Sequence, residues 1–461
     1  MIRGLDTSFH SIALAVAEHA PVLAMITVGS VFAYFATLHY IPRVSKKLFE
    51  RNIYGIDINK TTPEQRQTFA VKRRLGQTSE KEFQRQAVPE SLGIVAGAVY
   101  LSVVMVLMVC CGHFRHEVGE MYTSLPGPLM TITVMLLLGF VDDVLDVKWR
   151  HKIVLTTLGS LPLIMTYDGS LSVLMPQLFS GCVLPMMNAT KGLLLYLANL
   201  SNESIAFNDA RPAIWLQSIA HQPIFSVTEG GSILMYVGPI YLIYLSMLCI
   251  FCTNSINILA GVNGVEVGQS IVIAIASVMY NLFQLRLAAQ ATVLTGTSAE
   301  VATAARDMTS DHQIRALLLL GPFIGVSLAL WCYNRYPARI FVGDSYTYFA
   351  GTVLAVSGIT GVYSKTLLLF FAPQVFNFII SLPQLFGLVV CPRHRVPTWN
   401  PKTDLLSNSH NYTILNVMLY YFGDMHEARL TWAVLKCQVA ACAIGFLIRY
   451  LLSSFLYDEV H

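Results

Sequence analysis

The densest group of chemically active side chains lies at residues 139–152, between two apolar runs. This segment contains the adjacent carboxylates Asp142 and Asp143 and, further on, Lys152. Neighbouring carboxylates repel each other unless a metal ion or a basic side chain neutralises them, so one interpretation is a cation and phosphate site. The alternative is a membrane-interface loop, in which basic residues fix the orientation and the aspartates cap the following helix.

Two glycine-containing segments add amide and carboxylate groups. Residues 254–269 include Asn257, Gly261 and Asn263, and glycines at such a turn allow a flat ligand to approach the backbone closely. Residues 334–345 include Phe341 and Asp344, which place an aromatic ring and a carboxylate near the start of a helix. Taken singly, the first segment could be a glycine-rich re-entrant turn, and Asp344 could be an ordinary N-cap.

A basic segment, Cys-Pro-Arg-His-Arg-Val-Pro, occupies residues 391–397. Arg393, His394 and Arg395 stand between two prolines, which suits a rigid clamp for a diphosphate or a sugar phosphate, although a positively charged loop would look similar. Together, the four segments offer oxygen ligands for a divalent cation and basic groups for phosphates. This set indicates phosphoryl transfer from a nucleotide sugar to a membrane-borne acceptor.

The composition identifies what must hold these segments. Of the 461 residues, 54% are hydrophobic and 12% are charged, with a mean hydropathy of +0.57. Soluble globular proteins have about 25% charged residues, so the chain is predicted to be an all-α, polytopic integral membrane protein. The net charge of +3 is small, and we expect a membrane-lipid environment and no nucleic-acid partner.

Apolar runs long enough for membrane helices predict about ten spans in a single domain over residues 1–461. The predicted runs are 22–41, 92–112, 125–141, 153–167, 233–253, 270–287, 316–333, 346–362, 366–390 and 431–456. In this arrangement the four polar segments are loops between helices. An Ala-, Thr- and Ser-rich stretch at 288–315 is predicted to be a loose loop.

The distribution of basic residues predicts the orientation. The loops after the odd-numbered helices hold 20 of the 30 Lys and Arg residues, so these loops are expected to be cytosolic and both termini lumenal. The basic loop 42–91 and the loop 391–430 are then cytosolic, and 168–232 is a lumenal insertion. Sequons at Asn188, Asn199 and Asn202 agree with a lumenal insertion.

At this point the chain resembles a known family. The Asp142-Asp143 segment, Asn257-Ile-Leu-Ala-Gly-Val-Asn-Gly, Phe341-Val-Gly-Asp and Cys391-Pro-Arg-His-Arg together resemble the polyprenyl-phosphate N-acetylhexosamine-1-phosphate transferase superfamily, and most closely its eukaryotic members. The resemblance covers residues from about 88 to 395. It implies a ten-helix protein of the endoplasmic reticulum membrane that uses UDP-GlcNAc, dolichyl phosphate and Mg²⁺ in the first step of lipid-linked oligosaccharide synthesis.

The resemblance also implies roles for individual residues. Asn257 and Asp344 correspond to the magnesium ligands and Lys152 to a diphosphate contact. The uridine site would contain Gly261, Asn263 and Phe341, with Glu90 at a polar position near the nucleotide. A sugar and diphosphate clamp would be formed by Arg393, His394 and Arg395.

Several points stay open in the sequence. The acceptor phosphate is largely dianionic at neutral pH, so direct in-line attack needs positioning more than a strong base, and Asp143 is expected to orient the acceptor while Asp142 supports the metal environment. A covalent aspartyl intermediate is the alternative.

Another sugar-1-phosphate transferase, or a lipid transporter or scramblase, is the competing function. Gly93 and Gly97 permit close helix packing, within the chain or in a homodimer.

Overall fold

The computed structural model describes residues 2–75, 87–115, 124–175, 225–227, 233–294, 299–392 and 395–452. The chain divides into two compact units. The first comprises Met1–Asp168 and Ser246–Ala443, and the second comprises Gly169–Leu245 and Ile444–His461. All of the predicted site residues fall within the first unit.

Helices dominate the described part of the chain, as the composition predicts. They are α1 (Ile2–Glu50), α2 (Pro63–Arg74), α3 (Gly93–Arg115), α4 (Pro126–Leu145), α5 (Trp149–Met165), α6 (Pro239–Ile258), α7 (Val265–Leu294), α8 (Ala299–Asn334), α9 (Gly343–Thr360), α10 (Ser364–Phe370), α11 (Ala372–Leu385), α12 (Ile414–Phe422) and α13 (Glu427–Leu447). Within the described residues, seven helices are long and apolar enough to cross a membrane, and α10 with α11 raises this to eight. The chain is therefore a multi-pass membrane protein.

Short antiparallel strands complete the structure. Strands β1 (Tyr54–Ile56) and β2 (Ala87–Pro89) pair with each other. Strands β3 (Ser172–Met175), β4 (Phe225–Val227) and β5 (Ile233–Tyr236) form a sheet in the order β3-β5-β4. Strands β6 (Thr398–Asn400) and β7 (Leu405–Ser407) form a hairpin. The segments 42–91 and 391–430, predicted as loops, thus contain regular structure.

Each of the ten predicted apolar runs coincides with a helix, but three details of the prediction are wrong. The ninth run is not one helix, because α10 and α11 are bent by 70° relative to each other. The fifth run begins in strand β5, and its helix starts only at Pro239. The stretch 288–315 is largely helical, since α7 continues to Leu294 and α8 begins at Ala299. Alanine favours helix, and this preference outweighs the loop-like threonines and serines. The three sequons lie outside the described residues.

Helix α9 is the centre of the first unit. Every residue from Ser345 to Ile359 is buried, and α9 packs against α3, α4, α7 and α8. A helix surrounded by protein needs small side chains more than apolar ones, which explains why α9 is not among the helices apolar enough to span a membrane. Gly93 faces the backbone of Tyr346 and Gly97 faces Leu136, so both glycines serve packing within the chain.

A smaller apolar cluster fixes the segment after α6 against the region after α11. It contains Leu259, Val262 and Val265 together with Leu406, Ile414, Leu415, Met418, Leu419, Met425, Leu430 and Val434. Burial of this cluster holds the glycine-containing turn between α6 and α7 in place, because apolar contacts on both sides of the turn leave water together. The predicted site residues Gly261 and Asn263 lie in this turn.

Candidate active site

Five of the predicted site residues lie at helix ends. Asp142 and Asp143 belong to the last turn of α4, Lys152 to the first turn of α5, and Asp344 to the first turn of α9. Asn257 lies in the last turn of α6. The sequence-based assignment of Asp142, Asp143, Lys152 and Asn257 to loops is therefore wrong, because the helices extend past the apolar runs, whereas Asp344 lies at the start of a helix as predicted. Helix ends hold side chains more rigidly than loops do.

Lys152 is the cation at the centre of a group of aspartates. Its Nζ lies 2.5 Å from Oδ2 of Asp142 and 3.6 Å from Oδ2 of Asp344. Asp142 is 3% exposed, whereas Lys152 and Asp344 are 25% and 29% exposed. One ammonium group thus bridges a buried and an accessible carboxylate, and it stays partly open to a ligand.

The carboxylate of Asp142 is fully engaged by protein donors. Besides Lys152, it accepts a hydrogen bond from the backbone N–H of Val147 (3.1 Å) and one from the hydroxyl of Tyr348 (3.2 Å). Tyr348 belongs to α9, so these contacts connect α4, α5 and α9. The geometry indicates that Asp142 holds Lys152 in position and has little capacity left for a ligand.

Asp143 caps a helix other than its own. Its carboxylate accepts the backbone N–H of Asp344 (2.6 Å) and the backbone N–H of Ser345 (3.1 Å), which are unpaired donors at the start of α9. Gly343 has a φ of +71°, and a side chain there would collide with the Asp143 carboxylate. Gly139 lets α4 approach closely, since an added carbon would lie 2.5 Å from the carbonyl oxygen of Asp344. Asp143 therefore positions Asp344.

The two predicted metal ligands retain uncommitted oxygen atoms. Among the described residues, Lys152 is the only ion-pair partner of Asp344, and the amide of Asn257 has no hydrogen-bond partner there. Asn257 lies one turn beyond Thr253, whose hydroxyl oxygen is 3.2 Å from that of Thr352 on α9. Positions four apart share a helix face, so Asn257 lies on the face of α6 that packs against α9.

The donor set fits a magnesium ion. Mg²⁺ prefers oxygen ligands, binds few protein groups and completes its shell with water and substrate phosphates. The described part of the chain has no group of three or more His, Cys, Asp or Glu side chains arranged to hold a metal. Asp344 and Asn257, one carboxylate and one amide, stay the predicted ligands, because Asp142 and Asp143 are occupied by protein donors.

Phe341 and Glu90 meet beside Gly55. A side-chain carbon at Gly55 would lie 3.1 Å from Oε2 of Glu90 and 3.4 Å from the ring of Phe341. The backbone of Phe341 donates to the carbonyl of Pro89 (2.8 Å) and accepts from the N–H of Leu92 (3.2 Å). Two predicted nucleotide-site residues that are far apart in sequence are thus brought together.

A buried polar network holds the turn between α6 and α7. Asn59 donates its side-chain amide to the carbonyl of Gly261 (2.8 Å), and the side-chain amide of Asn263 donates to Asp57 (3.0 Å). Glu427 accepts from the backbone N–H of Asn263 (2.8 Å) and from the amide of Asn59 (3.3 Å). The side-chain nitrogen atoms of Asn59 and Asn263 both have acceptors, whereas the Oδ1 atom of Asn59 is buried without a hydrogen-bond partner within the described residues. The side-chain nitrogen of Asn263 therefore faces Asp57. A nucleotide bound by Asn263 would have to share this nitrogen with the Asp57 carboxylate.

Sequence reasoning missed Asp57, Asn59, Glu427 and Tyr348. Glu427 begins α13 and Asp57 caps the short helical turn Ile58–Lys60, positions at which an acidic residue is usually an ordinary helix-capping group. The sequence offered a weak signal only for Asp57 and Asn59, which are polar residues near a predicted membrane surface. Nothing local distinguished Tyr348 from other aromatic residues in an apolar helix.

Of the three residues of the predicted basic clamp, the structure describes Arg395. Arg393 and His394 lie outside the described residues, whereas Arg395 is half-buried, and its Nη1 atom is buried without a hydrogen-bond partner within the described residues. Burial lowers the pKa of the Arg395 guanidinium from its usual value. The next residue, Val396, packs against Gly261. A half-buried, unpaired cation next to this turn is suited to an anionic ligand.

Comparisons with known proteins agree on one family. The model of glycosyl transferase family 4 matches residues 125–362. A protein of Leishmania amazonensis named UDP-N-acetylglucosamine–dolichyl-phosphate N-acetylglucosaminephosphotransferase is 70% identical over 466 residues, which cover 100% of both chains. Proteins of the same name from Dictyostelium discoideum and Saccharomyces cerevisiae are 36% and 31% identical, over 90% and 96% of this chain and 86% and 94% of their own lengths.

Proposed function

Because this chain belongs to glycosyl transferase family 4, we infer that it catalyses the reaction in the names of its relatives. It transfers GlcNAc-1-phosphate from UDP-GlcNAc to dolichyl phosphate, which yields GlcNAc-diphosphodolichol and UMP. The observation that carries this conclusion is 70% identity over the whole chain to a protein of that name. The Asp142, Lys152 and Asp344 cluster supplies a matching site at one end of the helices.

The proposed mechanism is direct in-line displacement. An oxygen of dolichyl phosphate forms a bond to the phosphorus that carries the sugar, and the bond from that phosphorus to the bridging oxygen breaks, so UMP leaves with that oxygen. The acceptor phosphate has a second pKa of about 6 and is largely dianionic at neutral pH, so no strong base is required. The protein's task is positioning and charge neutralisation. The engaged carboxylates of Asp142 and Asp143 favour this mechanism over a covalent aspartyl intermediate.

Each side chain then has a proposed task. Lys152, held by Asp142, contacts the diphosphate, while Asp143 fixes the backbone of Asp344. Asn257 and Asp344 would hold a Mg²⁺ ion, which when bound neutralises the developing phosphate charge. The uridine would lie between the Gly261 turn with its Asn263 and the Phe341 ring, with Glu90 nearby. Arg395, with Arg393 and His394, would bind the sugar phosphate.

We propose that the protein resides in the endoplasmic reticulum membrane, with the site facing the cytosol and both termini lumenal. The support is the positive-inside rule, because 20 of the 30 Lys and Arg residues lie on the side of the site. UDP-GlcNAc is water-soluble, whereas the polyprenyl chain of the acceptor is apolar. A site at the ends of membrane helices gives both substrates access.

A product assay tests the proposed reaction. We expect the purified protein, given UDP-GlcNAc labelled in the sugar and in the uridine together with dolichyl phosphate, to form equal amounts of UMP and lipid-soluble GlcNAc. EDTA should abolish both products, and Mg²⁺ should restore them. Absence of UMP with every divalent metal would contradict the enzyme function and favour a transporter. A preference for another UDP-hexosamine would instead support a related sugar-1-phosphate transferase.

Replacement of Asp143 by asparagine tests its positioning role. Asparagine has one acceptor oxygen, so its NH₂ group must face a backbone N–H at the start of α9, and kcat should fall about 10- to 100-fold. Thermal stability should fall as well, because a cap at a helix N-terminus is lost. Asp146→Asn is the matched control, since Asp146 is an exposed aspartate close by and asparagine tolerates its positive φ of 51°. Near-normal turnover of Asp143→Asn would refute the assignment.

A further inference from the structure

A cavity of about 390 Å³ lies outside the catalytic cluster, between the end of α8 and the start of α13. Its lining residues include Trp331, Arg335, Tyr336, Arg339 and Trp432. Both helices are long and apolar enough to span a membrane, with spans at Thr309–Asn334 and Glu427–Leu451. The cavity is therefore at the level where membrane spans end and lipid headgroups lie.

The charge of the cavity is positive. Arg335 and Arg339 line it, and none of the described residues that line it is acidic. Arg339 donates to the carbonyl of Cys332 (2.8 Å) and lies over the ring of Tyr333, so its position is fixed. Arg335 is exposed, and within the described residues its side chain has no hydrogen bond or ion pair. The cavity thus presents one fixed and one available guanidinium group to an anion.

The acidic groups near the cavity are engaged by other side chains. Glu427 lies one residue before the cavity wall, but its carboxylate points to Asn263 and Asn59. Asp404 faces His426 at 3.4 Å. Burial, and after it the negative charges of Asp404, Glu427 and Asp57, raise the pKa of the Tyr336 hydroxyl, so this group is neutral at physiological pH. The ammonium group of Lys60 lies 4.4 Å from the centre of the same ring and adds positive charge there. An anion in the cavity would meet attraction without a competing carboxylate on its wall.

The aromatic side chains favour a lipid over a soluble anion. The rings of Trp331 and Trp432 pack edge to face at 6.3 Å, and Trp432 is 58% exposed on a membrane-spanning helix. Tryptophan at this depth is typical of the membrane interface, where an apolar ring lies next to headgroups. A soluble phosphate would use the arginines and leave the aromatic surface uncovered, whereas a phospholipid would cover both.

We propose that this cavity binds an anionic phospholipid, with its phosphate at Arg335 and Arg339 and its glycerol and upper acyl carbons against Trp331 and Trp432. Basic pockets between membrane helices are known to recognise such headgroups. The lipid would lie behind the turn that carries Gly261 and Asn263, because Trp331 also packs against Gly264 of that turn. The proposed occupant is a structural ligand and is distinct from the acceptor substrate.

Native mass spectrometry of the purified protein in detergent tests this proposal. The apparent Kd of the first bound lipid is measured for phosphatidylglycerol and for phosphatidylcholine, with wild type, Arg335→Ala, Arg335→Lys and Arg43→Ala. We expect phosphatidylglycerol to bind more tightly than phosphatidylcholine. Arg335→Ala should weaken phosphatidylglycerol binding about fivefold, and Arg335→Lys should weaken it less, because one guanidinium near the membrane contributes about 1 kcal/mol. Arg43 is an exposed arginine near the C-terminal end of α1, outside the cavity, so the Arg43→Ala variant should bind as wild type does.

Five results would overturn the proposal. Equal affinity for the two lipids would remove the charge preference, and unchanged binding by Arg335→Ala would exclude this cavity. Equal weakening by Arg335→Ala and Arg43→Ala would indicate general surface attraction. Displacement of the lipid by millimolar glycerol phosphate, or by dolichyl phosphate, would assign the cavity to a soluble anion or to the acceptor. Arg335 is exposed, and its side chain has no hydrogen bond or ion pair with the part of the chain that the structure describes, so its replacement should leave the protein folded, which unchanged thermal stability would verify.

Discussion

Replacing Asp344 with asparagine is expected to lower kcat/KM at least about 100-fold and to raise the Mg²⁺ concentration needed for half-maximal activity. Of the three aspartates in the cluster, Asp344 is the one whose carboxylate the protein leaves accessible. Asparagine keeps the shape and one oxygen but removes the charge that a divalent cation requires. Activity should be measured across a Mg²⁺ titration, with UMP release as the readout.

The stability of the Asp344→Asn variant distinguishes this role from a structural one. The hydrogen bond from residue 344 to Asp143 uses the backbone N–H, so the substitution leaves it in place. Loss of one negative charge also relieves repulsion with Asp142 and Asp143. We therefore expect the midpoint of thermal unfolding to stay the same or to rise while activity falls. A normal Mg²⁺ requirement together with normal turnover would show that Asp344 is not a metal ligand.

The second large effect is expected for Lys152→Met, which should lower kcat about 100- to 1,000-fold. Methionine preserves length and removes the ammonium group that lies between Asp142 and Asp344. The diphosphate of the donor would then approach carboxylates without their neutralising cation. Lys148→Met is the matched control, because Lys148 is an exposed lysine directly before α5, four positions from Lys152.

Lys152→Met should also reduce stability, and a double variant separates the two effects. Asp142 is 3% exposed, and breaking a buried ion pair leaves an uncompensated charge at a cost of about 3–5 kcal/mol. In Asp142→Asn/Lys152→Met that charge is gone, so the unfolding midpoint should recover while turnover should not. Recovery of both quantities in the double variant would mean that Lys152 acts only by neutralising Asp142 and has no contact with the substrate.

The chemistry of the site depends on how the protein distributes its own hydrogen-bond donors. Three aspartates meet where α4 ends and α9 begins. Asp142 is engaged by Val147, Tyr348 and Lys152, and Asp143 is engaged by backbone N–H groups of α9. This division of roles leaves a single accessible carboxylate beside a single ammonium group. We propose that a metal ion and a diphosphate bind there in place of the 3.6 Å contact between Lys152 and Asp344, while the contacts of Asp142 and Asp143 stay in place.

Much of the fold could be predicted from the sequence. Membrane insertion depends on the hydropathy of each run, which is a local and additive property, so every predicted run coincides with a helix. The helix ends were predicted less well. Asp142 and Asp143 were assigned to a loop because charge interrupts apolar patterns, but a helix can continue beyond the apolar layer as long as its backbone bonds are made.

The sequence by itself determined the membrane class, the family resemblance and the types of side chain available to the site. The tertiary structure alone decided which of them the protein's own hydrogen-bond donors engage. Asp143 caps a helix whose first turn lies 201 positions further along the chain, and Glu427 pairs with Asn59 across 368 positions. Hydropathy and motif spacing report only on neighbours in sequence. Which carboxylate is saturated and which stays open depends on donors that only folding brings within 3 Å or so of it.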